Sequence, residues 1–155
     1  MVGWHERSIE PPILRSGSNE SKYEIWTMDD DGSNKTRKLY DSNANYRHPR
    51  WSPDGTKLAF FTYQGNASSG GDNWVIKVVN SDGSWLTQVN DFQTGGRAWP
   101  SFDWSPDGSS IAFIKLASSN NYDIFSINID GSNLTQLTNT PDDNEAVVDW
   151  GSAAP

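Results

Sequence analysis

The phrase WSPDGTKLAFF at Trp51–Phe61 returns as WSPDGSSIAFI at Trp104–Ile114, 53 residues later. A second phrase runs beside it. Asp-Gly-Ser stands at Asp31–Ser33, Asp82–Ser84 and Asp130–Ser132, spaced 51 and 48 residues apart. Each copy closes a strand-like run: YEIWTMDDDGS, WVIKVVNSDGS and YDIFSINIDGS. Tryptophan marks the other phase at Trp4, Trp51, Trp104 and Trp150. Self-similarity at a fixed period constrains a fold strongly. Each unit must be one supersecondary element that buries its apolar faces against the next copy.

Within one unit the pattern predicts four short antiparallel strands. The first ends at the tryptophan, as in Ala98–Ser105. A Pro-Asp-Gly corner follows, in which Pro presets φ and Gly accepts a positive one. The second strand is Leu58–Tyr63 or Ile111–Leu116, the third Val75–Val79 or Asp123–Ile127. The Asp-Gly-Ser turn leads to a fourth at Thr87–Val89 or Thr135–Leu137. The spacing leaves no room for helices. Four strands in about 50 residues describe a β-propeller blade, so the fold class is all-β. Composition agrees: 34% of residues are hydrophobic, yet eight are tryptophan, with Gly, Pro, Asn, Ser and Asp between the apolar runs.

Pro49–Phe60, Phe102–Phe113 and the strand and turn at Ile124–Ser132 resemble the TolB-like, WD-type propeller repeat, whose signature is P-x-W-S-P-D-G-x-x-[IL]-A-F. The matching segments cover most of residues 20–150. The resemblance implies a propeller, commonly of six blades, in periplasmic or secreted proteins and in the propeller domains of prolyl-oligopeptidase-type enzymes. Such a motif specifies fold far better than activity. Phe102 departs from the family Pro. The first unit departs further: WHERSIEPPIL at Trp4–Leu14 lacks the Ser-Pro-Asp-Gly corner, and Pro11 and Pro12 fall where a strand should pair.

The repeats divide residues 1–155 into a single unit of three blades, at about 4–50, 51–103 and 104–149. Three blades do not close a ring, since propellers have about four to eight. The expectation is therefore half of a six-bladed ring, completed as a homodimer with twofold symmetry. Residues 145–151 then form a closing inner strand, with Val147, Val148, Asp149 and Trp150 crossing to the partner's first blade. Met1–Glu10 is peripheral on this reading. The alternative is a piece of a longer propeller.

The formal charge of −8 repels phosphate backbones and anionic membrane surfaces, so neither nucleic acid nor membrane is an expected partner. There is no cysteine, and no G-x-S-x-G nucleophile elbow. No stretch approaches the roughly 18 apolar residues of a membrane span. The start, MVGWHERSIE, has no signal-peptide apolar run. The two histidines, His5 and His48, are read as turn or surface residues. Asp29, Asp30 and Asp31 fail the calcium-loop spacing and are read as turn residues. No cofactor and no metal is expected.

One grouping stands out. Arg47, His48 and Arg50 precede one corner, and Arg97 and Trp99 precede the next, at a phase that lies near the channel mouth of a propeller. They form a candidate site for a carboxylate-bearing ligand or peptide terminus; alternatively, the arginines pair with Asp103 and Asp149. Trp51, Trp104 and Trp150 recur in phase and should pack between blades. Trp26, Trp85 and Trp99 do not recur, and offer either a stacking platform or outer-blade packing. The expected function is a non-catalytic binding or scaffolding propeller, with a protein or peptide as a possible partner. The competing readings are an enzyme on an acidic sugar or peptide with His48 as base, and a purely structural part of a larger propeller.

Overall fold

Leu58-Ala59-Phe60-Phe61 and Ile111-Ala112-Phe113-Ile114 are unbroken apolar runs, which suit a strand buried on both faces. The protein builds that environment by standing sheets side by side. The computed structural model describes residues 24–29, 31–39, 46–63, 74–89, 101–118, 121–141, 143–146 and 148–151, and no helix occurs among them. The first unit contributes a hairpin, β1 (Ile25–Thr27) and β2 (Thr36–Leu39). The second contributes β3 (Tyr46–Trp51), β4 (Lys57–Tyr63), β5 (Trp74–Asn80) and β6 (Thr87–Gln88). The third contributes β7 (Phe102–Trp104), β8 (Ser110–Ser118), β9 (Asn121–Asn128) and β10 (Thr135–Gln136). The last two units are four-stranded antiparallel meanders in the orders β3-β4-β5-β6 and β7-β8-β9-β10.

Side-chain alternation assigns the faces. Leu58, Phe60 and Val79 point toward the first hairpin and pack with Ile25, Tyr46 and Leu39. Ala59, Phe61, Ile76 and Val78 point the other way, onto Phe102, Trp104, Ile111 and Phe113 of the third sheet. Ala112 and Ile114 face onward again, onto Val148 and Trp150. Phe61 and Phe102, both essentially buried, meet edge to face at 5.0 Å between ring centroids. Phe102, where the family repeat has Pro, thus fills the seam between two blades. Full burial of one such ring is worth about 2–3 kcal/mol.

The corners repeat almost atom for atom. Gly55 and Gly108 take φ of 69° and 71°, and Gly32, Gly83 and Gly131 take 80°, 90° and 86°. Ser52 Oγ donates to Asp54 Oδ1 and Ser105 Oγ to Asp107 Oδ1, each at 2.6 Å. After each Asp-Gly-Ser comes a second left-handed residue: Asn34, Trp85 and Asn133, at φ of 52°, 52° and 54°.

The predicted strands match the observed ones to within a few residues, with two differences. The strand expected at Ala98–Ser105 is observed as Phe102–Trp104, residues 98–100 lying outside the described ones. Met1–Glu10, read from the sequence as peripheral, also lies outside them. The described part of 145–151 forms no ladder. It is held instead by side chains: Val148 N–H donates to Ser101 Oγ at 3.1 Å and Trp150 N–H to Asp103 Oδ2 at 2.9 Å. Its main-chain bond to a neighbour, Glu145 N–H to the Tyr122 carbonyl oxygen at 2.9 Å, does not extend into a ladder among the described residues.

Candidate functional site

The inner strand β3 carries the predicted cationic group on an irregular backbone. The register passes from Arg47 opposite Phe61 to Arg50 opposite Ala59, so one extra residue is accommodated between them. His48 absorbs it with φ of 50°. Pro49, which has no N–H to give a ladder, falls within the same bulge. The bulge sends the side chains of Arg47, His48 and Arg50 to different surroundings.

The Arg47 guanidinium lies over the Trp74 ring, 5.5 Å from its centroid. His48 is exposed and meets the edge of Phe61 at 6.4 Å. Its pKa lies below the ordinary 6.5, first because part of the ring is desolvated and then because Arg47 and Arg50 flank it. A neutral imidazole results near pH 7. No hydrogen bond orients that ring among the described residues, which is what a general base requires. Arg50 leans across the blade seam, its Nη1 3.8 Å from Asp103 Oδ1. The pairing alternative raised for these arginines is thus met at Asp103. Asp149 is exposed. Arg97 and Trp99 lie outside the described residues, as does Val147.

Asp103 does more than pair. Its Oδ2 accepts the N–H of Trp150, while Oδ1 faces Arg50. Trp104 Nε1 donates to the carbonyl oxygen of Arg50 at 3.0 Å. Residues at one phase of three successive inner positions, 50, 103 and 149–150, therefore touch in turn. With the Arg50 side chain 54% exposed, this row offers a cationic group to solvent beside a carboxylate already shared.

The non-recurring tryptophans separate. Trp26 is held in its own hairpin: its Nε1 donates to Glu24 Oε2 at 2.9 Å, and Arg37 lies over its ring. Trp85 is 45% exposed, with Lys57 Nζ 5.6 Å from the ring centroid. Trp51, Trp104 and Trp150 pack against the three apolar clusters between blades.

One anchoring residue escaped the sequence reading. Asp123 is fully buried. It accepts from Gln136 Nε2 at 2.7 Å, from Thr140 N–H at 3.3 Å and from Thr140 Oγ1 at 3.2 Å. It ties β9 to β10 and to the turn before the closing segment. The available signal was the acid preceding the outer-strand isoleucine, Glu24 in the first repeat and Asp123 in the third, with Val75 in the second.

Meander sheets stacked through alternating faces, with tryptophans clasping successive inner strands, define a β-propeller. The chain matches the TolB beta propeller domain over residues 13–149, and it belongs to that family. It is 39% identical over 56 residues to the Tol-Pal system protein TolB of Wigglesworthia glossinidia brevipalpis, covering 36% of this chain and 13% of that one. Among solved structures, TolB from Acinetobacter baumannii superposes with a TM-score of 0.55 at 24% identity, over 76% of this chain and 27% of the other. An oligogalacturonate lyase from Vibrio parahaemolyticus superposes with a TM-score of 0.56 at 18% identity, over 80% and 32%. The chain thus spans about an eighth of the first curated relative and about a quarter to a third of these solved ones.

Proposed function

We propose that this chain is a non-catalytic binding and scaffolding module that self-associates into a closed propeller and takes an anionic ligand or peptide terminus at its inner-strand row. The observation that carries the binding reading is that row. Arg50 is half exposed, His48 stands beside it on the bulge, and Asp103 of the neighbouring blade pairs with the guanidinium at 3.8 Å. A guanidinium held in place loses less freedom on meeting a carboxylate than a free one. Family membership supports the scaffolding part, and with it a periplasmic or extracellular setting.

Self-association is supported by the outward face of the third blade. Val148 is buried there against Ala112 and Ile114, at the inner-strand phase, with no second strand paired to it among the described residues. Open ends of repeat arrays leave apolar surface that another repeat can cover. Multi-angle light scattering of the full chain at micromolar concentration is expected to give a mass near twice 17.2 kDa. A monomer mass at every concentration rejects the self-association. For the ligand, citrate is titrated calorimetrically into the wild type and Arg50→Ala. A tenfold weakening, about 1.4 kcal/mol, is expected with melting unchanged; equal affinities reject the site.

A further inference from the structure

A buried carboxylate stands in the third blade with no cation at ion-pair distance among the described residues. Asp123 is fully buried. Buried carboxylates are paired with a cation or coordinate a metal. The ion pairs of the described residues, Arg37 with Glu24 and Arg50 with Asp103, do not involve it. Lys115, opposite Asp123 in the ladder, sets its ammonium over the Phe125 ring instead, 4.7 Å from the centroid. The donors that Asp123 meets are neutral: the Gln136 and Asn121 amides, the Thr140 N–H and the Thr140 hydroxyl. The blade itself does not require this acid, because Val75 holds the same place in the second blade.

Oxygens gather around the Thr140 hydroxyl. Thr140 Oγ1 lies 3.2 Å from Asp123 Oδ1, 3.4 Å from Glu145 Oε1 and 3.4 Å from the main-chain oxygen of Asp143. A hydroxyl has one hydrogen, so it serves one of these three acceptors. The separations also exceed the ~2.5–3.0 Å of an ordinary O–H···O bond. They fit oxygens that share a cation. Two oxygens at right angles about calcium, each at ~2.4 Å, stand about 3.4 Å apart; magnesium, at ~2.1 Å, draws them to about 3.0 Å. Asn121 adds an independent observation. It is 8% exposed, its Oδ1 is buried with no hydrogen-bond partner, and its amide faces Asp123 Oδ2 across 3.4 Å. A half-turn of that amide exchanges its nitrogen and oxygen, and so presents the orphaned oxygen to the carboxylate. Two oxygens set face to face in this way are stable with a cation between them.

We infer that Asp123, Asn121, Thr140 and Glu145, with the Asp143 carbonyl, form a calcium site at the outer strands of the third blade. The two carboxylates balance the double charge, and the neutral oxygens with water complete the six to eight ligands that calcium takes. Thr140, Asp143 and Glu145 are not buried, so the ion enters from solvent on their side. Once bound, it ties β9 to the turn at 140–145. Among the described residues no three acids or histidines converge as a metal group. The site is built on two acids and neutral oxygens, which is why no spacing motif announces it. It is independent of self-association and of the Arg50 row.

The test uses the full chain, stripped with EDTA. Calcium titrated calorimetrically should fill one site per chain and raise the melting temperature. Magnesium at the same concentration should leave melting in place. Glu145→Gln keeps the side-chain shape and removes one charge. It should weaken calcium binding at least about tenfold, while its melting temperature in EDTA stays that of the wild type. In the wild type, calcium should shift the NMR signals of the Asn121 side-chain amide and of the Thr140 N–H. No heat and no change in melting on adding calcium overturns the site. Calcium binding that Glu145→Gln leaves unchanged, with the Asn121 amide signals unmoved, puts the ion elsewhere and also overturns it. An equal response to magnesium overturns the assignment to calcium.

Discussion

At the scale of single residues, the corners are small electrostatic traps. Asp107 accepts from Ser105 Oγ at 2.6 Å, from Ser109 N–H at 3.0 Å and from Ser109 Oγ at 2.8 Å. Donors aimed at a carboxylate favour its charged form, and they hold Asp107 down to about 2. Asp31, Asp54, Asp82 and Asp130 are lowered by serines in the same way. A lowered folded-state pKa contributes stability that is fully present above the unfolded value near 3.8. That contribution fades as pH falls through the folded value. The melting temperature should therefore drop between about pH 4 and pH 2. Ser105→Ala should move the Asp107 titration, followed by carbon NMR, back toward 3.8. An unmoved titration would mean that Ser105 is not its main donor. These corners were legible from Ser-Pro-Asp-Gly and Asp-Gly-Ser alone, because every partner lies within five residues. Trp85 was less legible. Its left-handed backbone is one that Asn34 and Asn133 take easily and a bulky residue does not, and sequence spacing carries no φ.

At the scale of elements, two turns of the same sequence differ in what they touch. Gly83 and Gly131 both follow an aspartate and both have φ near 90°. A Cβ built on Gly83 meets nothing within 4 Å, whereas one on Gly131 comes within 3.1 Å of the Val89 carbonyl oxygen on the preceding blade. Gly83→Ala is thus expected to carry the left-handed strain alone, about 1 kcal/mol. Gly131→Ala adds a tight contact that the Val89 carbonyl must relieve by a few tenths of an ångström, and should lose more than Gly83→Ala by urea denaturation. Equal losses would deny the close approach of the two blades. Buried Asp123 belongs to the same scale. Asp123→Ala strands the Gln136 amide and the Thr140 donors, and is expected to cost about 2–4 kcal/mol in urea denaturation. A loss under about 1 kcal/mol would mean that the donors find water instead. Asp123 was missed because its closest donors lie 13 and 17 residues away, across a turn whose course local pattern does not fix.

At the scale of the whole molecule, stability rests on seams between sheets. Phe61 is fully buried where the second and third sheets meet. Phe61→Ala should destabilise by about 3–5 kcal/mol. Because the ring belongs to both sheets, amide exchange should quicken in β4 and β8 together. Acceleration confined to β4 would show that the blades open independently, as repeat arrays with weak interfaces do.

The sequence by itself determined the repeat, the strand and turn alphabet of each blade, and the family, since all of these follow from side chains acting on their near neighbours. It also marked Arg47, His48 and Arg50 as a group, but it did not disclose that a bulge parts them. Only the tertiary structure decided that Trp104 reaches the Arg50 carbonyl and that Asp103 is shared between Arg50 and Trp150. The physical reason is that these partners are about 50 residues apart in sequence. They meet because stacked sheets bring equal phases side by side, and that stacking follows from burying both faces of every blade.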